Sequence, residues 1–283
     1  MGKAQKVKGE LVDAVEMVSL IQTLKDIADN KFYTLLAQKH KFRRFGESFV
    51  EFFRMMSLTR EEHPLLANKN PAVGVLAVTI DGSFLGQFNN KIIRTALEQK
   101  QKYEQVQFMG CGAKSMDSLR RETPDLKLFA AVETHNLYEL ALEIKNYIVE
   151  EIMQDRLGKV VVCYAWPRSF EIQEPRSVLL LPCEDLVSKQ TKLVSEFANV
   201  IEESSPREII GVLTNLWVTT RLYTILMDTL IASAAAQANF LDDAVEKMKK
   251  EREKVRVKFR KAKKGDIDKS LRETFSARMI AMK

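Results

Sequence analysis

Cysteine is scarce in this chain, and its arrangement excludes two fold classes. The three residues Cys111, Cys163 and Cys183 are odd in number, lie far apart and include no C-x-x-C pair. A disulfide framework and a zinc site are therefore not expected, and reduced thiols fit a cytosolic compartment. Histidine is equally sparse: His40, His63 and His135 show no ligand-like spacing and read as solvated or capping residues. Long apolar runs are missing too. The most apolar stretch, 216–241, is broken by Arg221 and Asp228 and followed by Asp242. No segment approaches the ~18 uninterrupted apolar residues of a membrane helix. The opening residues MGKAQKVKGE lead into amphipathic sequence instead of an apolar h-region, so no secretory signal is expected. Any membrane contact is expected to pass through partners.

What is present is the material of a water-soluble fold. Of 283 residues 46% are hydrophobic and 29% charged, which suits one large or two ordinary domains with a real core. Proline is distributed unevenly. None occurs from residue 9 to 62, where Ala14, Ile21, Ala28, Leu35, Phe42, Phe49 and Met56 recur every seventh position. That is the seam of a coiled-coil helix over about 1–64, stopped by His63-Pro64 and Asn70-Pro71. After Pro206 proline is again absent to the end, over 78 residues. A continuous helix of that length would be roughly 115 Å long. A domain of the intervening size has a radius of gyration of only about 14 Å, so the helix is expected to protrude. Its seam steps through Leu241, Val245, Met248, Arg252, Val255, Phe259 and Ala262, and the N-terminal helix is the available partner.

Between these arms, over about 71–200, the period changes. Val73–Ile80 is a β-branched run feeding a helical pattern from about 87 to 101. Strand-then-helix recurs with 106–109 before a helix near 113–121, and with 127–132 before a helix near 136–155. Such alternation predicts an α/β sheet. Runs 159–165 and 177–181 are joined by a loop holding Pro167 and Pro175, which predicts an antiparallel hairpin at the sheet edge. The fold class is α/β: a long antiparallel coiled coil of the terminal helices with an inserted Rossmann-like domain.

Two turns invite a nucleotide-binding reading. In Phe108-Met-Gly-Cys-Gly-Ala-Lys-Ser115 the spacing departs from G-x-x-x-x-G-K-[ST], because Ala113 separates Gly112 from Lys114. Asp81-Gly-Ser-Phe-Leu-Gly86 follows a strand but lacks G-x-G-x-x-G. Both read as structural turns, and no carboxylate pair or Ser/His/Asp set stands out. A nucleotide-using enzyme with coiled-coil arms stays open as an alternative. The strongest local signal is charge: residues 247–264 hold eleven cations and two anions, a net +9 that exceeds the +6 of the whole chain. A solvated face, a basic scaffold or nucleic-acid stripe, and a collar facing acidic protein surface are the competing readings. Without interleaved aromatics the last is favoured over nucleic acid.

With these elements in place, the sequence resembles the gamma subunits of rotary F-type ATP synthases over nearly its full length, as a divergent member. Leu20-Ile-Gln-Thr-Leu-Lys25-Asp-Ile-Ala28-Asp-Asn-Lys31 is similar to the family's N-terminal I-T-K-A-M-K-M-V-A-A-A-K. Ile80–Asn89 resembles S-D-R-G-L-C-G-G-F-N, Leu180-Leu181-Pro182 matches the family's L-L-P, and Phe259–Asp268 falls on Y-N-R-A-R-Q-A-A-I-T. Departures are Gln237 for the usual arginine of R-M-x-A-M and Glu246-Lys247 for its D-N pair. The resemblance implies a central rotor stalk, with no active site and no cofactor of its own. Its implied partners are the alpha and beta subunits of the catalytic ring, the epsilon subunit and the membrane rotor ring, in a peripheral complex on the cytoplasmic face of the cell membrane. Contacts with the alpha/beta ring are expected from Leu24, Lys25, Lys31, Arg256, Arg260, Lys263 and Lys264, and from a C-terminal apolar bearing of Leu271, Phe275 and Met279.

Overall fold

In a computed structural model the described residues are 3–56, 63–183 and 206–281, with side chains of 41–56 among those left aside. The elements are α1 (Lys3–Met56), β1 (Val73–Val78), α2 (Phe88–Leu97), β2 (Val106–Cys111), α3 (Met116–Leu119), β3 (Lys127–Phe129), α4 (Leu137–Met153), β4 (Lys159–Pro167), β5 (Gln173–Leu181) and α5 (Pro206–Ala281). Short 3-10 turns, Glu98–Gln101 and Ala113–Ser115, follow α2 and precede α3. The chain divides into two compact units, Met1–Asp29 with Gln237–Lys283, and Asn30–Ala236. The long terminal helices and the mixed sheet expected from proline distribution and period are both present.

In the Asn30–Ala236 unit the sheet order is β3-β2-β1-β4-β5. β1 lies parallel between β2 and β4, with Val73 opposite both Val106 and Lys159. Every residue of β1 is buried, as its continuous apolar run requires of a central parallel strand covered on both faces. α2 presents Phe88, Ile92, Ile93 and Ala96 to the core, and α4 presents Leu137, Leu140, Ala141, Ile144, Ile148 and Ile152, both at helical spacing. β5 pairs antiparallel to β4, so the edge hairpin is as expected.

Several boundaries differ from the sequence expectation: β1 ends at Val78 instead of Ile80, the helix expected near 113–121 is a 3-10 turn followed by Met116–Leu119, and two further differences have a visible cause. β3 stops at Phe129 instead of continuing to Val132, and Asn136 ties off the segment beyond it through Ala131 C=O (2.8 Å) and Glu133 N–H (3.0 Å). Pro167 and Pro175 lie in the hairpin strands and not in the connecting loop: Pro175 pairs with Ala165 and Pro167 with Gln173. A missing N–H is tolerated there because β5 is an edge strand and Pro167 ends β4. The expected end of the α/β segment, 184–200, and the N-terminal helix's 57–62 lie outside the described residues, as do the side chains of Phe42, Phe49 and Met56.

α1 enters this unit with Phe32 and Leu35 buried in the same core as Leu222, Ile225, Leu226 and Ile231 of α5. Phe32 meets Phe170 of the β4–β5 turn edge-on at 5.1 Å, and Tyr33 stacks on Phe170 at 6.3 Å. Lys39 forms an ion pair with the buried Asp228 of α5.

In the other unit the helices run antiparallel. Lys25 Nζ lies 3.4 Å from Asp242, while the Ala4 N–H donates to Asp266 (3.1 Å). The positions withdrawn from solvent on α1 include Ala4, Val7, Leu11, Ala14, Val18, Ile21, Lys25 and Ala28, alternating three and four residues apart. On α5 they include Leu241, Val245, Met248, Arg252, Val255, Phe259 and Ala262, the seam read from the sequence. Gly265 sits in the middle of α5, exposed, with nothing within 4 Å of an added Cβ. Gly265→Ala is therefore expected to stabilise the helix by about 0.5–1 kcal/mol, since only the backbone freedom of the unfolded glycine is lost. A raised midpoint in thermal denaturation checks it.

Candidate partner interface

The basic stretch of α5 is an exposed helix segment. Its two anions are used locally, Glu251 by Lys254 (2.5 Å) and Glu253 by Arg256 (3.4 Å), and Lys249 reaches back to Glu246 (3.0 Å). Lys258, Arg260, Lys261, Lys263 and Lys264 are exposed and make no ion pair among the described residues. These i,i+3 pairs are solvated and individually worth about 0–1 kcal/mol, so they leave the local excess of positive charge in place. A dense, uncompensated cationic surface on a rigid helix steers acidic partners more than it stabilises its own fold.

Beyond it, Leu271, Phe275 and Met279 lie four residues apart on one face of α5 and are 52%, 66% and 75% exposed. Large apolar side chains this open on one helical face contribute little to folding within the chain. Of the α1 candidates, Lys31 is exposed and Leu24 half-buried, whereas Lys25 faces the seam, bound to Asp29 and Asp242. Burial works against its charge, but the two aspartates outweigh it and hold the ammonium above its ordinary range. A second set of exposed apolar residues escaped the sequence reading: Val12, Val15, Leu20, Ile27 and Tyr33 on α1. The available signal was apolar residues lying off the heptad positions.

The two turns resembling nucleotide loops are closed on each other. Gly112 adopts φ +78°, and the N–H groups of Ala113 (2.9 Å) and Lys114 (3.1 Å) both donate to the Asp81 carboxylate. Asp81 thus occupies the amide concavity where a phosphate would sit. The turn after β1 is also pinned from behind, where Asn89 pairs with both N–H (3.0 Å) and C=O (2.8 Å) of Ile80. The cysteines are all buried, and burial pushes Cys163 and Cys183 up to about 12 and Cys111 higher still, so none is poised as a thiolate. Among the described residues no group of three His, Cys, Asp or Glu could hold a metal ion, and no helix is long and apolar enough to cross a membrane. His40 is exposed, His63 Nδ1 accepts from Leu65 N–H (3.2 Å), and His135 pairs with Glu133 (3.2 Å).

An antiparallel helix pair, a mixed sheet whose turns after β1 and β2 are joined through Asp81, and a cationic helix surface together have the build of a stalk-type subunit. Comparison with known proteins agrees: the chain belongs to the ATP synthase family, whose model matches residues 3–282. It is 24% identical over 220 residues to the ATP synthase gamma chain of Halothermothrix orenii, covering 76% of this chain and 75% of that one. With the gamma chain of Lachnoclostridium phytofermentans it shares 20% identity over 274 residues, 94% of this chain and 91% of that one. Among solved structures it is similar to a chain of the Tetrahymena thermophila mitochondrial ATP synthase central stalk and c-ring (TM-score 0.61, 15% identity, 80% of this chain and 99% of that chain). It is similar also to one from the Euglena gracilis mitochondrial ATP synthase rotor (TM-score 0.60, 12% identity, 93% and 98%).

Proposed function

We propose that this chain is the gamma subunit, the central rotor stalk, of a rotary F-type ATP synthase, a non-catalytic part of a membrane-associated complex. Family membership over 3–282 carries the reading, with the antiparallel pairing of α1 and α5 as its physical basis. A pair of helices has no threefold symmetry. Three identical catalytic sites arranged around it would meet three different surfaces, so each angle of the shaft favours a different set of open and closed states through differential contact energy. The coupling is reciprocal: nucleotide binding biases the angle as strongly as the angle biases nucleotide affinity.

Within this reading, 1–64 and 206–283 form the shaft and 71–200 the segment that meets the epsilon subunit and the membrane rotor ring. Leu24, Lys31, Arg256, Arg260, Lys263 and Lys264 face the alpha/beta ring, Lys25 supports that surface from the seam, and Leu271, Phe275 and Met279 seat in an apolar sleeve. The complex lies on the cytoplasmic face of the cell membrane, a placement that the three unpaired buried thiols support. Co-purification tests the assignment: alpha and beta subunits are expected in threefold excess over this chain. Recovery of the chain without them, or tight binding of ATP to the isolated chain by calorimetry, would overturn it.

A further inference from the structure

We propose that the Lys39–Asp228 ion pair is a register lock, which sets the axial position of α1 against α5 where apolar packing alone would allow slippage.

The need for a lock comes from what surrounds it. After Asp228, α5 continues as Ile231-Ala-Ser-Ala-Ala-Ala236, a stretch of small side chains with Ile231, Ala232, Ala234 and Ala235 fully or almost fully buried. Small side chains let helices approach closely, but one alanine surface resembles the next, so such a stretch defines axial register poorly. A displacement by one heptad, about 10 Å, keeps the seven-residue spacing of the α1 seam but brings the exposed position 221, or position 235, to the place of the buried Asp228.

Charge removes that degeneracy. Seven residues before Asp228 on the same helix is Arg221, and seven after it is Ala235. A heptad slip in one direction therefore sets Lys39 against a guanidinium, and in the other it buries the ammonium against a methyl group. Only the native register meets a carboxylate. Lys25 in the seam of the other unit obeys the same rule, since seven residues beyond its partner Asp242 stands Lys249. A misregistered partner is thus disfavoured by repulsion as well as by a lost attraction.

The buried carboxylate is suited to the task. Burial pushes Asp228 up, opposed first by Lys39 and then by Arg221 of its own helix and Arg176 of β5, while Tyr164 of β4 faces it from the sheet. Arg176 is itself held at 3.4 Å over the Trp166 ring and at 3.1 Å from Glu174, so the nearby cation on the sheet side is fixed in place. Among the described residues of α1, Lys39 is the cation paired with Asp228.

The test uses the full-length chain carrying spin labels at Gln38→Cys and Val212→Cys, both exposed and both in the Asn30–Ala236 unit. The three native cysteines are buried. Pulsed dipolar spectroscopy on the parent should give one distance population. The apolar pair Lys39→Met with Asp228→Leu is expected to remain folded and to add a second population displaced by about 10 Å, one heptad. The exchanged pair Lys39→Asp with Asp228→Lys, made together with Arg221→Gln so that a slipped aspartate at position 39 meets no cation, should return most molecules to one register. A single native distance in the apolar variant, or two populations in the exchanged pair, would overturn the lock. ATP-driven ion pumping by the assembled complex is a separate readout that rests on the stalk assignment. No pumping by a complex assembled on the parent chain, with the register behaviour as expected, would refute that assignment and leave the lock standing.

Discussion

Gly158→Ala is expected to destabilise the Asn30–Ala236 unit by about 3 kcal/mol, the upper end of the range for an overfilled site, and to lower its thermal midpoint by about 10 °C. Gly158 immediately precedes β4, against the segment that enters β1. An added Cβ would fall onto the backbone carbonyl of Asn70 and lie 2.7 Å from its carbon. Backbone cannot swing aside as a side-chain tip can. Asn70 is also immobilised, since its side chain bonds to Asp155 C=O (2.5 Å) and accepts from Ala72 N–H (2.9 Å), while Gly158 N–H donates to Ala72 C=O (2.8 Å). Relief of the clash must break this group, and with it the start of the β1–β4 ladder. Differential scanning calorimetry provides the measurement, and an unchanged midpoint would refute the close approach. Gly265→Ala is the internal control, expected to move in the opposite direction.

The largest functional effect is expected from reversing Arg256, Arg260, Lys263 and Lys264 to glutamate together, which takes the charge of 247–264 from +9 to +1. Each exposed cation contributes about 0–1 kcal/mol, so single reversals should be nearly silent. Four acting together should exceed 1.4 kcal/mol and lower coupled ATPase activity about tenfold or more, with the complex still assembled. Because Arg256 already shares Glu253, its reversal also places like charges on adjacent turns of α5, a small helix cost to be subtracted by circular dichroism. Raising ionic strength should narrow the gap between parent and variant, as screening weakens the attraction only the parent possesses. Parent-like coupling in the fourfold variant at low salt would exclude the basic segment from the drive surface.

Features local in sequence were readable in advance. The heptad positions Ala14, Ile21, Ala28 and Leu35 are all withdrawn from solvent, since a period of seven is a property of the sequence itself. The basic segment was legible for the same reason. The other half of the α1 seam was missed because it includes Lys25 and Lys39, and periodicity alone cannot tell a lysine that meets an aspartate on another helix from one that meets water. Their spacing of fourteen, matching that of Asp228 and Asp242, was the unused signal. Pro175 misled because proline argues against a strand only when both neighbours need its N–H, and edge position is a property of the assembled sheet. Nor could spacing show that Asp81 meets residues 32 and 33 positions away.

That last contact changes how the sheet bears load. In a ligand-binding α/β domain the turns after adjacent parallel strands are free to part, because a guest must enter and leave between them. Here Asp81 staples the turn following β1 to the turn following β2, and Thr79 adds a second fastening through its hydroxyl to the Cys111 carbonyl (2.6 Å). A staple carried on the same chain cannot diffuse away when its hydrogen bonds open, so its hold does not depend on concentration. The edge that a guest would have to part is therefore held closed by the chain's own side chains, and opening it costs these three hydrogen bonds.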